Sequence, residues 1–424
     1  LKKVLIISYF FPPANFVGGE RVYAWAKHLH MYGYHPVIIT RCWNENQVDI
    51  VSKVHRNEFS HEVYENYEVY RLPYKRSVRD FLSQYSRLHL LQKALTFIEL
   101  ILSNFFIKVL PFSNFYSFSR ELLEKDQSIT TVIISGRPFQ SFFLGYKLKK
   151  KFPINWIPDY RDEWTSHQVI KPKNSLWKII HLLEQMSEKK WTSNSDAFIG
   201  VSDYWVKRIG AHIGKNGVVV KNGFTGVSEL SSIPYSSNSD NFYITYVGTL
   251  YPYQNIEILI DSVNQVNQAT GNKIHLNFVG INVIPEQEKR AKIASSKLLP
   301  NVKFIPRVSK EELASITATS DLLFLTGYEG LKGCYPVKLF EYAISGRPLL
   351  LCPTDNDVIE KFILETNCGY IANEIESCIS ILEQLLIDKQ NDGVVKMAID
   401  FSELKKYSRE YQTGILASFL DKMN

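Results

Sequence analysis

Apolar and polar positions alternate along this chain in blocks. Short apolar runs rich in β-branched residues recur in the first half at Val4–Ser8, Val37–Thr40, Thr131–Ser135, Asn155–Pro158 and Ala197–Val201. They recur in the second half at Phe242–Val247, His275–Val279, Val302–Ile305, Leu322–Leu325 and Pro348–Leu351. Continuous apolar runs of this kind fit strands buried on both faces. Helical spacing fills the gaps. After Gly18-Gly19-Glu20, the residues Val22, Trp25, Ala26 and Leu29 predict a helix through Met31, which Gly33 ends. A helix follows Pro138, and Asn255–Val266 reads as another.

Strands alternating with helices imply parallel pairing and a doubly wound sheet. The pattern runs twice. Ser231–Asn241, rich in Ser, Asn and Asp, reads as the loop between the two runs. The expectation is an α/β chain of two Rossmann-like doubly wound domains, residues 1–226 and 227–405. Such sheets bind ligands at the carboxyl ends of their strands, so two of them facing each other predict a ligand in an interdomain cleft.

With 424 residues, 45% hydrophobic and 22% charged, the chain has ordinary globular composition, which excludes wholesale disorder. Its net charge of +6 is small, but unevenly spread. Lys and Arg outnumber Asp and Glu by 31 to 19 over residues 1–225, and fall short by 18 to 24 over the rest. That fits two domains facing different partners and argues against a nucleic-acid binder. The five cysteines, at 42, 334, 352, 368 and 378, form no CxxC pair and read as reduced buried thiols. The ten histidines form no HxH or HExxH pattern, so no metal site is expected. Leu1–Tyr9 reads as a first strand and not as a signal peptide, and no apolar run is long enough to span a membrane. A cytoplasmic protein is expected.

Residues 71–112 stand apart. Arg71, Lys75, Arg76, Arg79 and Arg87 precede an apolar stretch, Leu90–Phe112, that carries Phe97, Phe105, Phe106 and Phe112. Two readings are open: a peripheral membrane contact, or a core helix beside a solvated basic loop.

The most informative stretch is Gly330–Leu351. A loop with Gly330 and Gly333 leads to Pro336, a good first helical residue, and the predicted helix runs to Ile344 before Gly346. Free N–H groups at its start would make a phosphate site. Lys338 adds positive charge, and Glu341 on the same face can accept both hydroxyls of a ribose. This arrangement resembles the donor-nucleotide motif of family-4 glycosyltransferases with the GT-B fold. Other segments agree in order. Tyr9-Phe10-Phe11-Pro12-Pro13 with Gly18-Gly19 resembles the family's first-strand loop at the donor diphosphate. Ser135-Gly136-Arg137-Pro138 and Pro158–Thr165 resemble segments of a bacterial subgroup that builds surface polysaccharides such as O-antigen or capsule. Val201-Ser202, Lys221–Phe224 and Tyr246–Leu250 resemble the landmarks between and after the domains.

Three positions depart from the pattern. Gly333 stands where the family has the first of two carboxylates. Thr249 and Gln254 stand for an Arg/Lys pair, which leaves Lys338 and Arg307 to balance donor charge. Arg161 stands where many members have a histidine.

The resemblance implies a retaining, metal-independent hexosyltransferase that needs no cofactor. It would move a sugar from a nucleoside-diphosphate-sugar to a hydroxyl of a bacterial glycan, one linked to polyprenyl diphosphate at the inner membrane face. Catalytic roles fall to Arg161, Asp162 and Lys338. Donor binding falls to Gly18, Gly19, Gly248, Thr249, Arg307, Tyr335, Pro336, Val337, Lys338 and Glu341. Acceptor binding falls to Arg137, Asp159, Arg161 and His167. Asp162 could equally be the salt-bridge partner of Arg161. In this fold the last helix returns to the first domain; Phe401–Leu420 is the candidate helix, and residues 406–424 are the part expected to cross back. The alternatives are a nucleotide-sugar epimerase of the same fold and a catalytically silent scaffold, the latter motivated by Gly333, Thr249 and Gln254.

Overall fold

The computed structural model describes residues 1–14, 16–43, 58–75, 89–168, 174–226 and 240–423. The chain divides into two compact units, Leu1–Asn222 with Arg409–Asn424, and Gly223–Ser408. Most of the Ser231–Asn241 loop lies outside the described residues.

Among the described residues, the first unit is built on eight strands: β1 (Lys2–Ser8), β2 (Tyr34–Arg41), β3 (Ser60–Val63), β4 (Glu68–Leu72), β5 (Ile129–Ser135), β6 (Asn155–Tyr160), β7 (Phe198–Gly200) and β8 (Gly217–Val219). Their order is β3-β4-β2-β1-β5-β6-β7-β8. Only the β3–β4 edge pair is antiparallel. Central strands are apolar because helices cover both faces: Val4–Leu5–Ile6 and Val132–Ile133–Ile134 are fully buried. Strand order reverses between β1 and β5, the place where sheets of this type take ligands.

The second unit has β9 (Phe242–Val247), β10 (Ile274–Val279), β11 (Val302–Ile305), β12 (Leu322–Leu325), β13 (Leu349–Leu351) and β14 (Gly369–Ile371). They lie in the order β11-β10-β9-β12-β13-β14, all parallel. Here the order reverses between β9 and β12. The fold is thus the expected one, two Rossmann-like parallel sheets.

Three local expectations need correction. The predicted last helix is two helices, Phe401–Lys405 and Arg409–Asp421. The first stays with the second unit, where Leu404 and Tyr407 are core residues. The second belongs to the first unit, where Leu416, Ala417 and Leu420 pack with Val22, Trp25 and Leu29. Pro336 is not the first helical residue; it is the N-cap of helix Val337–Ile344. Arg71 is not part of an exposed basic cluster. It lies on β4, is 9% exposed, and pairs with Glu62 at 2.8 Å. Arg76, Arg79 and Arg87 lie outside the described residues.

Candidate active site

In the second unit the candidate groups collect where β9 and β12 diverge. β9 ends at Gly248, whose φ of 97° only glycine adopts freely. A Cβ there would meet open space. Gly280, at the end of β10, comes close to Gly248 and to the backbone of Arg307 past β11, so three strand ends meet. The Arg307 side chain is exposed.

The loop after β12 leads into helix Val337–Ile344. No side chain caps its first turn; Leu339 donates its N–H to the Pro336 carbonyl at 3.0 Å, and the N–H groups of Val337 and Lys338, which precede the first intrahelical bond, favour an anion. The helix is fixed to β9 by Tyr342, whose hydroxyl accepts the Val247 N–H at 2.7 Å. Lys338 therefore sits over the end of β9, with Nζ 3.8 Å from the Tyr246 ring centroid. That Nζ is buried and has no hydrogen-bond acceptor. Burial alone pushes its pKa down to about 7.

Gln254 completes this cluster. It is fully buried. Its Oε1 accepts the Tyr251 N–H at 3.0 Å and lies 3.3 Å from the Tyr246 hydroxyl, which also reaches the Thr249 carbonyl at 2.9 Å. Its Nε2 has no acceptor. Two buried donors beside one tyrosine, an amide and an amine, thus lack partners. Leaving such groups unsatisfied costs about 1–3 kcal/mol each, and an acceptor-rich ligand would recover that cost.

Other candidates stand differently. Glu341 is exposed on the same helix. Tyr335 is buried, with its ring 5.9 Å from Phe340 and 6.2 Å from Tyr407, so it supports the helix start from the core. Pro336 and Val337 are half-buried at the helix start. Gly333 donates its N–H to the Asp357 carboxylate, and Lys332 Nζ donates to the Asp355 carbonyl at 2.6 Å. The loop after β13 thereby brings a carboxylate to the position where the sequence has only a glycine. Asp357 was not legible in sequence, because it lies 24 residues away.

In the first unit, the loops after β1, β5 and β6 converge on Arg161. Its Nε donates to the Gly136 carbonyl, and Nη2 lies 3.5 Å from the Arg137 carbonyl. A Cβ on Gly18 would overlap the Arg161 guanidinium, and one on Gly19 would press on the Phe10–Phe11 backbone. Both glycines are thus required by packing inside the unit. Asp162 pairs with Arg137, Nε to Oδ2 at 3.2 Å, and not with Arg161. His167 lies near both; burial first, then Arg137, pushes its imidazole below the usual range, with Asp162 opposing. Asp159 presents no surface to a ligand. It is 0% exposed, accepts the Ser135 hydroxyl at 2.8 Å and pairs with buried Arg21 at 3.2 Å. Expected among the acceptor-binding residues, it is held inside the unit by Arg21 and Ser135. Arg21, which sequence reasoning passed over as one helical residue among others, also donates to the Lys221 carbonyl at 3.1 Å.

Among the described residues, no group of three His, Cys, Asp or Glu side chains could hold a metal ion, and no helix is long and apolar enough to cross a membrane.

Residues 228–396, nearly the whole second unit, match the family model for glycosyl transferases group 1. Solved structures share the fold over the full length. Sucrose-phosphate synthase from Thermosynechococcus elongatus is similar with a TM-score of 0.62 at 14% identity, over 100% of this chain and 99% of that one. HepE from Anabaena, solved with UDP and glucose, has a TM-score of 0.55 at 13% identity, over 99% of this chain and 100% of that one. No curated protein matches by sequence. The fold is GT-B, and the match over residues 228–396 marks the chain as a transferase enzyme.

Proposed function

We propose that the protein transfers a sugar from a nucleoside-diphosphate-sugar to a hydroxyl of a glycan acceptor. The observation that carries this reading is the pair of buried, unpartnered donors, Lys338 Nζ and Gln254 Nε2, beside the uncapped start of helix Val337–Ile344. A diphosphate supplies the acceptors they lack, and the same groups would stabilise it as it leaves. The match to HepE, a protein solved with UDP and glucose, supports such a donor. Glu341 would hold the ribose. Gly248, Thr249 and Arg307 would border the donor, and Tyr335, Pro336 and Val337 would set the helix start.

On the first unit, Arg161, Asp162, Arg137 and His167 would orient the acceptor or the transferred sugar, with Gly18 and Gly19 letting the first-strand loop pack closely against Arg161. The reaction would retain anomeric configuration and need no metal. The basic first half suits an anionic acceptor, a glycan on polyprenyl diphosphate at the inner face of a membrane, with the exposed Phe105 and Phe106 of the 71–112 segment in contact with the lipid.

The test is calorimetry of UDP-, GDP-, dTDP- and CMP-sugars. One of them should bind, and Lys338→Ala and Gln254→Ala should each weaken it by ~1–3 kcal/mol. Unchanged affinity in both variants would refute the site.

A further inference from the structure

The first unit carries a surface that transfer chemistry does not use. Helix Ser175–Thr192 buries Ile180, Ser187, Glu188 and Trp191, as a surface helix should. Its opposite face is also apolar: Ile179, Leu182 and Met186 are all at least half exposed and recur at helical spacing. Trp177 is exposed in its first turn. Helix His89–Ser103 has a matching exposed stripe, Ile98 and Leu102, continued by Phe105 and Phe106. The helices are joined where the stripes end. Ser187, next to Met186, donates to Asn104, next to Phe105, at 2.7 Å. Large apolar side chains gathered this way on one unit mark a contact surface.

Charge selects the partner. On helix Ser175–Thr192 the exposed charges are Lys178, Lys189 and Lys190, while Glu188 is buried and Glu184 is half-buried. Lys108 is exposed just past Phe106. Among the described residues, none of these lysines has an ion-pair partner. A second copy of this face would bring two basic rims together; an anionic surface would be attracted to it.

We infer that these two helices form one composite surface that docks on an anionic lipid bilayer. The inference rests on the proposed membrane contact and deepens it: the contact does not end with helix His89–Ser103 and Phe105–Phe106 but extends to helix Ser175–Thr192.

The test is co-sedimentation with vesicles of phosphatidylglycerol and phosphatidylcholine, against phosphatidylcholine alone. The protein should sediment with the anionic vesicles only, and less so at high salt. L182E/M186E should lower the bound fraction at least fivefold, with melting temperature and donor binding unchanged. Should that variant misfold, K189E/K190E, at exposed positions, should lower binding and its salt dependence. The inference is overturned if the wild type ignores anionic vesicles. It is also overturned if F105E/F106E abolishes binding while L182E/M186E does not, which would confine contact to the earlier segment. A dimer that L182E/M186E dissociates, with no vesicle binding, would assign the face to a second copy and overturn it too. Donor calorimetry on the same preparations reads the proposed reaction separately, so either reading can fail without the other.

Discussion

At the residue scale, Lys338 shows how function is held against stability. A lysine whose pKa falls from 10.5 to about 7 in the folded protein binds fewer protons there than in the unfolded chain. Stability of the empty protein therefore rises as pH climbs from about 7 toward 10.5. Lys338→Met should remove this dependence and raise the melting temperature of the second unit at pH 7 by ~2–4 °C, about 1 kcal/mol for a domain of this size. It should also weaken donor binding by ~1–3 kcal/mol, as is expected of Lys338→Ala. Differential scanning calorimetry across pH checks the first outcome, and a destabilised variant would contradict it. Donor binding by the wild type should weaken above pH 7, as the amine loses its charge. Much of this was legible in sequence: Lys338 and the glycines around it sit at readable spacing. What Gln254 does was not. Its NH2 is the group left without a partner because Tyr251 and Tyr246 engage its oxygen, and both depend on how the loop after β9 folds back.

At the scale of elements, helix Ser175–Thr192 supports the Arg161 loop from below. Glu188 accepts the Tyr160 hydroxyl at 3.0 Å and the Thr165 N–H at 3.2 Å, so one carboxylate holds both ends of the segment that carries Arg161 and Asp162. Glu184, one turn earlier, is pushed up to about 7 by burial and then by the charge of Glu188. An acid with a raised folded pKa costs stability once the unfolded chain releases its proton, so the loss sets in above the ordinary carboxyl value of 4.5 and is complete above about 7. Glu184→Gln should match the wild type at pH 4.5 and exceed it at pH 8 by roughly 1–2 kcal/mol, after allowing for solvent at a half-buried side chain. Parallel melts at the two pH values decide; an equal gap at both would rule this titration out. The sequence marked Pro158–Thr165 as a motif but could not show its brace, because Glu188 is one charge among several on an amphipathic helix. Strands β3 and β4 were also illegible. β3, Ser-His-Glu-Val, is a short polar edge, and its pairing with β4 is set by the sheet it closes.

At the scale of the whole molecule, the chain leaves the first unit at Asn222 and returns to it at Arg409. The return is anchored at several points. Arg409 pairs with Glu20 at 2.5 Å, Gln412 Oε1 accepts the Lys221 N–H at 2.7 Å, and Asp421 accepts the Tyr34 hydroxyl at 2.8 Å. The apolar side of helix Arg409–Asp421 completes the core around Trp25. Sequence pattern predicted a single helix in this region because both pieces are amphipathic; the break comes from Tyr407 and Ser408, which are held in the second unit, with Tyr407 donating to Glu365 at 2.6 Å. The consequence is that residues at the far end of the sequence stabilise the unit at its start. Leu416 is fully buried, so Leu416→Ala should cost ~2–5 kcal/mol through lost burial and the cavity left behind. That loss should appear in the unfolding of residues 1–222. Hydrogen exchange resolves it by segment: amides of β1, β2 and helix Val17–His28 should lose protection in the variant, while those of β9, β10 and β12 should keep it. Equal loss in both sets would mean that the two units unfold as one, and protection unchanged in the first set would mean that the returning helix contributes nothing to it.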